Sequence, residues 1–326
     1  MHIVITGGAG FLGRQLANKL LDKSVLLNPD GVLTQIEKLT LFDVVPPHAM
    51  PDDDRIEIVT GDLRDPQVVA DVISDRVDLI FHLAAVVSGE AEENFELGMQ
   101  VNLAATQNVL ERCRQLGSHP RLVFTSSVAV FGGDMPTVLQ DDTAPTPQSS
   151  YGTQKAIGEL LVNDYSRRGF VDGRSVRLPT IVVRPGKPNK ATSSFASSII
   201  REPLQGQTAI CPVAPDMELW IMSPRRAVQN LIHAAQLPPE QWGRSRVASL
   251  PGLTVSVREM VDSLEAVAGR DVVKRIAWQR DPFIERIVGS WPARFATQKA
   301  ESMGFEADQS IEEIIRAFIE DELVNR

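Results

Sequence analysis

Residues 3–13 read IVITGGAGFLG, a β-branched apolar run that passes directly into Gly7, Gly8, Gly10 and Gly13. The run has the character of a buried strand, and the residues from Leu12 to Leu21 that follow have helical periodicity. Glycines at such a junction have a physical use. Gly7 permits the tight turn, Gly10 lets a pyrophosphate approach the backbone, and Gly13 lets the helix pack against the strand. The free N–H groups and the positive end of the helix then hold the anion. Because the motif follows the first strand and opens an amphipathic helix, it reads as a dinucleotide site rather than a plain glycine turn.

The same alternation continues along the chain. Strands are expected at 2–5, 38–42, 56–59, 79–82, 122–125 and 175–183, and helices at 12–21, 66–73, 101–116 and 151–168. Several strands are continuous apolar runs, as expected when both sheet faces are covered. This order predicts an α/β fold, a doubly wound parallel (Rossmann) sheet with right-handed crossovers. From about Pro185 the rhythm breaks into RPGKPNKATSSF, where a smaller C-terminal substrate lobe is expected to begin. The expected division is a cofactor domain over 1–184, with 219–236 returning to it, and a substrate lobe over most of 185–326. Capping boxes are predicted at Ser256 with Glu259 and at Ser310 with Glu313, and Gly269 should end the first of these helices.

Composition narrows the function classes. The 326 residues are 43% hydrophobic and 23% charged, enough for one large or two modest domains with a real core. Lys plus Arg number 33 against 42 Asp plus Glu, a net charge of -9, which argues against a nucleic-acid partner. Two cysteines, Cys113 and Cys211, are too few for a disulfide framework or a zinc site and suit a reducing cytoplasm. No run approaches the roughly 18 apolar residues of a membrane span, and no export signal opens the chain.

Two acids refine the cofactor. Asp43 closes the strand LTLFD, where a carboxylate accepts hydrogen bonds from the adenosine ribose hydroxyls and repels a 2′-phosphate. Val44, Val45 and Pro46 follow it without a cation, so NAD is favoured over NADP. Asp43 lies later than the usual spacing of about 20 residues, and NPDGVLTQIEK reads as a longer loop or helix end. Asp62 follows the third strand, within reach of an adenine. The chemistry points to SSYGTQKAIGE: Tyr151 and Lys155 sit one helical turn apart and share a face. An ammonium beside a phenol favours the phenolate, lowering a pKa that is ordinarily about 10. Upstream, FTSSVAVFG ends a strand at the carboxyl edge, where Ser127 can bond the reacting oxygen and Ser126 competes for that role.

Taken together, TGGAGFLG, Asp43, GDL, HLAA, VN, SSVAVFG and YGTQK resemble the extended short-chain dehydrogenase/reductase family, and TQKAESMGFEADQSIEEII resembles its C-terminal ending. The resemblance implies Tyr151 as acid/base, Lys155 as the residue that lowers its pKa and holds the nicotinamide ribose, and Ser127 as the residue that positions the substrate oxygen. It also implies an NAD site of Gly7, Gly10, Phe11, Leu12, Gly13, Asp43, Asp62, Leu63, Ala84 and Asn102, with Pro179 near the nicotinamide, and a homodimer. Substrate contacts are expected from Ser88, Ser127, Tyr151, Thr192 and Arg226. HLAAVVSGEAEENFELGMQVN is most similar to members that oxidise a four-carbon sugar acid at C2.

Family dehydratases carry an Asp-Glu pair where this chain has Val128 and Ala129, so elimination is disfavoured. Arg225 and Arg226 stand where many relatives have acids, either as a carboxylate site or as solvated helix-start cations. Arg184, Lys187 and Lys190 bring three charges without an acid, which suits a small anionic substrate such as a sugar acid, with Thr192, Ser193 or Ser194 bonding its hydroxyls. They suit the diphosphate of a nucleotide sugar equally well, so an NAD-dependent epimerase is the rival enzyme. A redox-sensing protein that only holds NAD is a third class.

Overall fold

A computed structural model describes residues 1–28, 30–186 and 191–324. Seven parallel strands form the central sheet: β1 (His2–Thr6), β2 (Lys38–Asp43), β3 (Ile56–Thr60), β4 (Leu79–His82), β5 (Arg121–Ser127), β6 (Asp172–Leu178) and β7 (Val247–Ser249). Their order is β7-β6-β5-β4-β1-β2-β3. From β1 the chain builds outward through β2 and β3, then crosses to β4 on the other side. The crevice between β1 and β4 is therefore the switch point where ligands bind in such sheets.

Alternation within β1 explains the two-sided core. Ile3 and Ile5 pack with Leu16 and Leu20 of α1 (Phe11–Lys23) and with Ala227 and Leu231 of the helix Pro224–Gln236. Val4, one residue out of phase, packs on the other face with Phe42, Val109, Phe124 and Val162. Each β1 residue in 3–6 is buried because helices cover both faces. A separate cluster of Val182, Phe195, Ile199, Leu219, Ile221, Val257, Leu264, Ile315 and Phe318 lies around a three-stranded sheet of Leu253–Ser256, Glu218–Met222 and Thr180–Ile181.

Four local readings change. The run at 175–183 is two strands, because Pro179 has no N–H to extend the ladder and Thr180–Ile181 pairs with Ile221 and Met222 instead. NPDGVLTQIEK contributes to a hairpin in which Val25–Leu27 pairs with Leu33–Gln35, which accounts for the late position of Asp43. The stretch 101–116 becomes a π-turn at Met99–Ala104 followed by an α-helix at Ala105–Leu116. The box at Ser256 and Glu259 is complete, and Gly269 ends its helix. At Ser310 it is half made: Ser310 Oγ accepts the Glu313 N–H, but the Glu313 carboxylate takes the Gln309 N–H. No helix among the described residues is long and apolar enough to cross a membrane.

Candidate active site

A cleft of about 440 Å³ opens along the carboxyl edge of β1, β4 and β5. At one end it is lined by Gly7, Gly10, Phe11, Leu12 and Gly13. The Gly10 N–H donates to the Gly7 carbonyl at 3.1 Å, closing the turn. A Cβ at Gly13 would lie 2.3 Å from that same carbonyl oxygen, so only glycine lets α1 start this close to the strand. Among the described residues no side chain caps α1, which leaves its positive end facing the cleft. Asp43 sits at the tip of β2, with its carboxylate accepting the Ala9 N–H at 3.0 Å and the Val44 N–H at 2.8 Å. Val44, Val45 and Pro46 are exposed and bring no cation, but the fold brings one to the same loop: Arg14 donates to the His48 carbonyl at 3.2 Å. This glycine cradle, uncapped helix and strand-end carboxylate fit a dinucleotide.

Asp43, Asp62, Leu63, Ala84 and Asn102 do not line this cavity. The Asp62 carboxylate is gripped by Arg64, with Nε at 2.8 Å, and this pairing holds it below its ordinary pKa. Leu63 is buried in the Val4 core. Ala84 backs the glycine turn, its N–H 3.3 Å from Thr6 Oγ1. Asn102 is fully buried and clamps the loop after β4: its Oδ1 accepts the Val86 N–H at 2.8 Å and its Nδ2 donates to the Val86 carbonyl and to Gln154. It thereby fixes Leu83, Ala85, Val86, Val87 and Ser88, which do line the cleft.

Ser127, Tyr151, Lys155 and Pro179 all line the cleft. Tyr151 lies in the first turn of α2 (Ser150–Arg167), where Ser149 Oγ accepts the Gly152 N–H at 3.1 Å and Glu92 accepts the Ser150 N–H at 2.9 Å. A Cβ at Gly152 would meet the Ala129 carbonyl oxygen at 2.0 Å, so this glycine lets α2 press Tyr151 against the end of β5. Ser126, the competitor of Ser127, is otherwise engaged. Its hydroxyl donates to Glu159 at 2.5 Å, and Arg177 grips that buried carboxylate at 2.8 and 2.7 Å. Ser127 accepts the Ala129 N–H at 3.1 Å.

The electrostatics differ from the sequence expectation. Lys155 Nζ donates to the Thr125 carbonyl at 2.9 Å and lies 5.8 Å from the Tyr151 ring centre. Burial pushes its pKa down to about 8, opposed by Glu159. Burial pushes the Tyr151 phenol up to about 12, opposed by a bond with Ser127 and by the charge of Arg184. Arg184 is thus a second cation near the phenol, and its charge favours the phenolate.

Arg184, Ala191, Ser193 and Trp291 also line the cleft. The Arg184 guanidinium donates to Ser193 Oγ at 3.2 Å and, among the described residues, meets no carboxylate. Burial, and then the neighbouring charge of Arg201, push its pKa down to about 10. Arg201 itself is paired with Glu202 at 2.6 Å. Ser88 lines the cleft, and its hydroxyl is 3.4 Å from that of Thr192, which is buried behind the lining. Arg226 is corrected: it pairs with Glu306, while Arg225 pairs with Asp321 at 2.7 Å and Glu320 at 3.1 Å, and neither lines the cleft. Lys187 and Lys190 lie outside the described residues. Trp291 had no distinguishing signal in its sequence neighbourhood, GSWPARF.

Over 321 residues the chain is 57% identical to the D-erythronate dehydrogenase of Cupriavidus necator, covering 98% of each protein. It is 47% identical over 320 residues to the D-erythronate dehydrogenase of Haemophilus influenzae, covering 98% of this chain and 99% of that one. Among solved structures, the nucleoside-diphosphate-sugar epimerase from Agrobacterium tumefaciens superposes with a TM-score of 0.93 at 45% identity, over 99% of this chain and 94% of that one. Residues 3–234 match the model of the NAD dependent epimerase/dehydratase family, and with the glycine turn, the seven-stranded sheet and the Tyr151 edge already in place, the chain belongs to that family.

Proposed function

We propose that this protein is an NAD-dependent dehydrogenase acting on a CH–OH group, and that it oxidises D-erythronate at C2 to 2-dehydro-D-erythronate. The observation that carries the substrate class is Arg184, a cation with no carboxylate partner among the described residues that shares the cleft with Ser127 and Tyr151 and acts on the Tyr151 phenol through its charge. A partly desolvated guanidinium favours an anion beside it, and a carboxylate supplies the bidentate partner it prefers. With the acid at Arg184, the adjacent C2 hydroxyl faces Tyr151. Ser127 orients that hydroxyl, Tyr151 accepts its proton, and Lys155 helps to order the edge from Thr125. When bound, NAD supplies the hydride acceptor. The glycine turn, with Phe11 and Leu12, would hold its pyrophosphate, and Asp43 would hold the adenosine ribose.

The rival reading is a nucleotide-sugar epimerase, favoured by the close superposition on the structure so named. Incubation with NAD and D-erythronate should give steady production of NADH, far faster than with NADP, whereas UDP-sugars should give no interconversion. Interconversion of a UDP-sugar with no oxidation of any sugar acid would replace the dehydrogenase reading with the epimerase one.

The same reading makes the chain a cytoplasmic homodimer with a cofactor lobe (1–184, joined by 219–236) and a substrate lobe (most of 185–326). The separation of the cluster around the three-stranded sheet from those on the two faces of the seven-stranded sheet supports the lobes, the latter taking in Leu231, Ala248 and Leu250 as well. Free buried Cys113 and Cys211 agree with a reducing compartment. For the dimer, the support is apolar surface on the outer side of α2: Leu160 is 70% exposed there, and Phe95 nearby is 60% exposed. Light scattering at micromolar concentration should give twice the chain mass, and Leu160→Asp should return a folded monomer. A monomeric unmodified protein would end the dimer proposal.

A further inference from the structure

Within the proposed sugar-acid reading, the far wall of the cleft raises a question of its own: what limits the length of the substrate. Among the described residues, Trp291 is the one that lines the cleft from beyond Ser193. Behind it lies a second cavity of about 10 Å³, roughly the space of one water. That cavity is lined by Val128, Thr180, Glu218, Leu219, Trp220, Val288, Trp291 and Pro292; among the described residues only Val128, Thr180 and Trp291 border both spaces. Of those three, the indole is the large side chain in the partition.

The segment carrying Trp291 is fastened on both sides. Before it, the Trp291 N–H donates to the Val288 carbonyl at 3.1 Å and Ser290 Oγ to the Ile287 carbonyl at 2.7 Å. After it, Thr254 Oγ1 donates to the Ala293 carbonyl at 2.7 Å, and Arg294 grips Glu218 at 2.9 and 2.6 Å. Phe295 then packs against Trp220, ring centres 5.2 Å apart, and the Leu139 N–H donates to the Arg294 carbonyl at 3.0 Å. The segment is therefore anchored on both sides, and the half-buried Trp291 packs against the core that holds Val182 and Phe318. Its indole N–H makes no hydrogen bond among the described residues.

We propose that Trp291 sets the chain length of the substrate, ending the cleft where the third and fourth carbons of a sugar acid fit and a fifth or sixth does not. With the carboxylate at Arg184 and C2 at Tyr151, the remaining carbons extend along the wall formed by Val128, Thr180 and Trp291. Shortening the indole joins the cleft to the space behind it, where Glu218 offers an acceptor to added hydroxyls. Rejection by one carbon in such a pocket is worth about 10- to 200-fold.

The test compares kcat/KM for D-erythronate with that for five- and six-carbon aldonates of the same C2 configuration, using the full-length protein and NAD. Trp291→Ala should raise the ratio of longer to four-carbon substrate about tenfold or more, whereas Trp291→Phe, which keeps the wall and removes the N–H, should leave it near the unmodified value. Melting curves and NAD affinity check that both variants fold. A folded Trp291→Ala protein with an unchanged ratio overturns the stop, even with D-erythronate turnover intact. An unmodified enzyme that oxidises no aldonate overturns the functional reading first and the stop with it.

Discussion

Tyr151→Phe should lower turnover of the sugar acid by about 10²- to 10⁴-fold, the usual contribution of a positioned acid/base group, while NAD affinity stays within a few-fold of normal. The phenol is well placed for the role: the Ser149 cap and the close approach of Gly152 to Ala129 hold it over the end of β5, beside Ser127. The pH dependence follows from its environment. Burial raises its pKa toward about 12, so the proton-accepting phenolate is scarce at neutral pH and increases as pH rises. Oxidation by the unmodified enzyme should therefore climb from pH 7 to pH 10, and the residual rate of Tyr151→Phe should lose that climb. A phenylalanine variant that keeps more than about half the normal rate would remove Tyr151 from the mechanism.

Arg184→Gln should raise the KM for D-erythronate by about 10- to 150-fold, the range for losing a charge-assisted hydrogen bond of about 1.5 to 3 kcal/mol. It should also act on the phenol, because the Arg184 charge lowers the pKa of Tyr151 and its loss lets that pKa rise. The rate profile should consequently move to higher pH in the variant. Erythritol, which has the hydroxyls without the carboxylate, should not be oxidised by either protein. A KM within twofold of normal would exclude Arg184 as the anchor.

The glycine turn and the Tyr151–Lys155 face of the cleft were legible in the sequence because their determinants are local. A glycine turn between strand and helix, and a Tyr and Lys one turn apart, carry their geometry in their spacing. The seventh strand, Val247–Ser249, was not legible: three residues in register with Ser175–Arg177 make too short a run to signal a strand. The choice between Ser126 and Ser127 depended on Glu159 and Arg177, contributed by a different helix and strand. The cations near residue 225 misled for a similar reason. Their partners, Glu306, Glu320 and Asp321, lie 80 to 96 positions downstream, and no pattern around WIMSPRRAV records them. Asn102 was legible as a motif residue, but its work of clamping Val86 emerges only when the loop after β4 folds back on it.

The origin of the cleft walls bears on how such a protein can change. The oxidising edge is assembled from β1, β4, β5 and α2, elements locked together by Gly13, Gly152 and the Ser126–Glu159–Arg177 cluster, where nearly any substitution disturbs its neighbours. Other parts of the lining come from a few residues after Leu178 and from Trp291, which arrives from more than a hundred positions beyond that leucine. Selection for a new substrate can thus act on those parts while the redox apparatus is inherited whole, and such a scaffold can acquire different specificities through a handful of distal replacements.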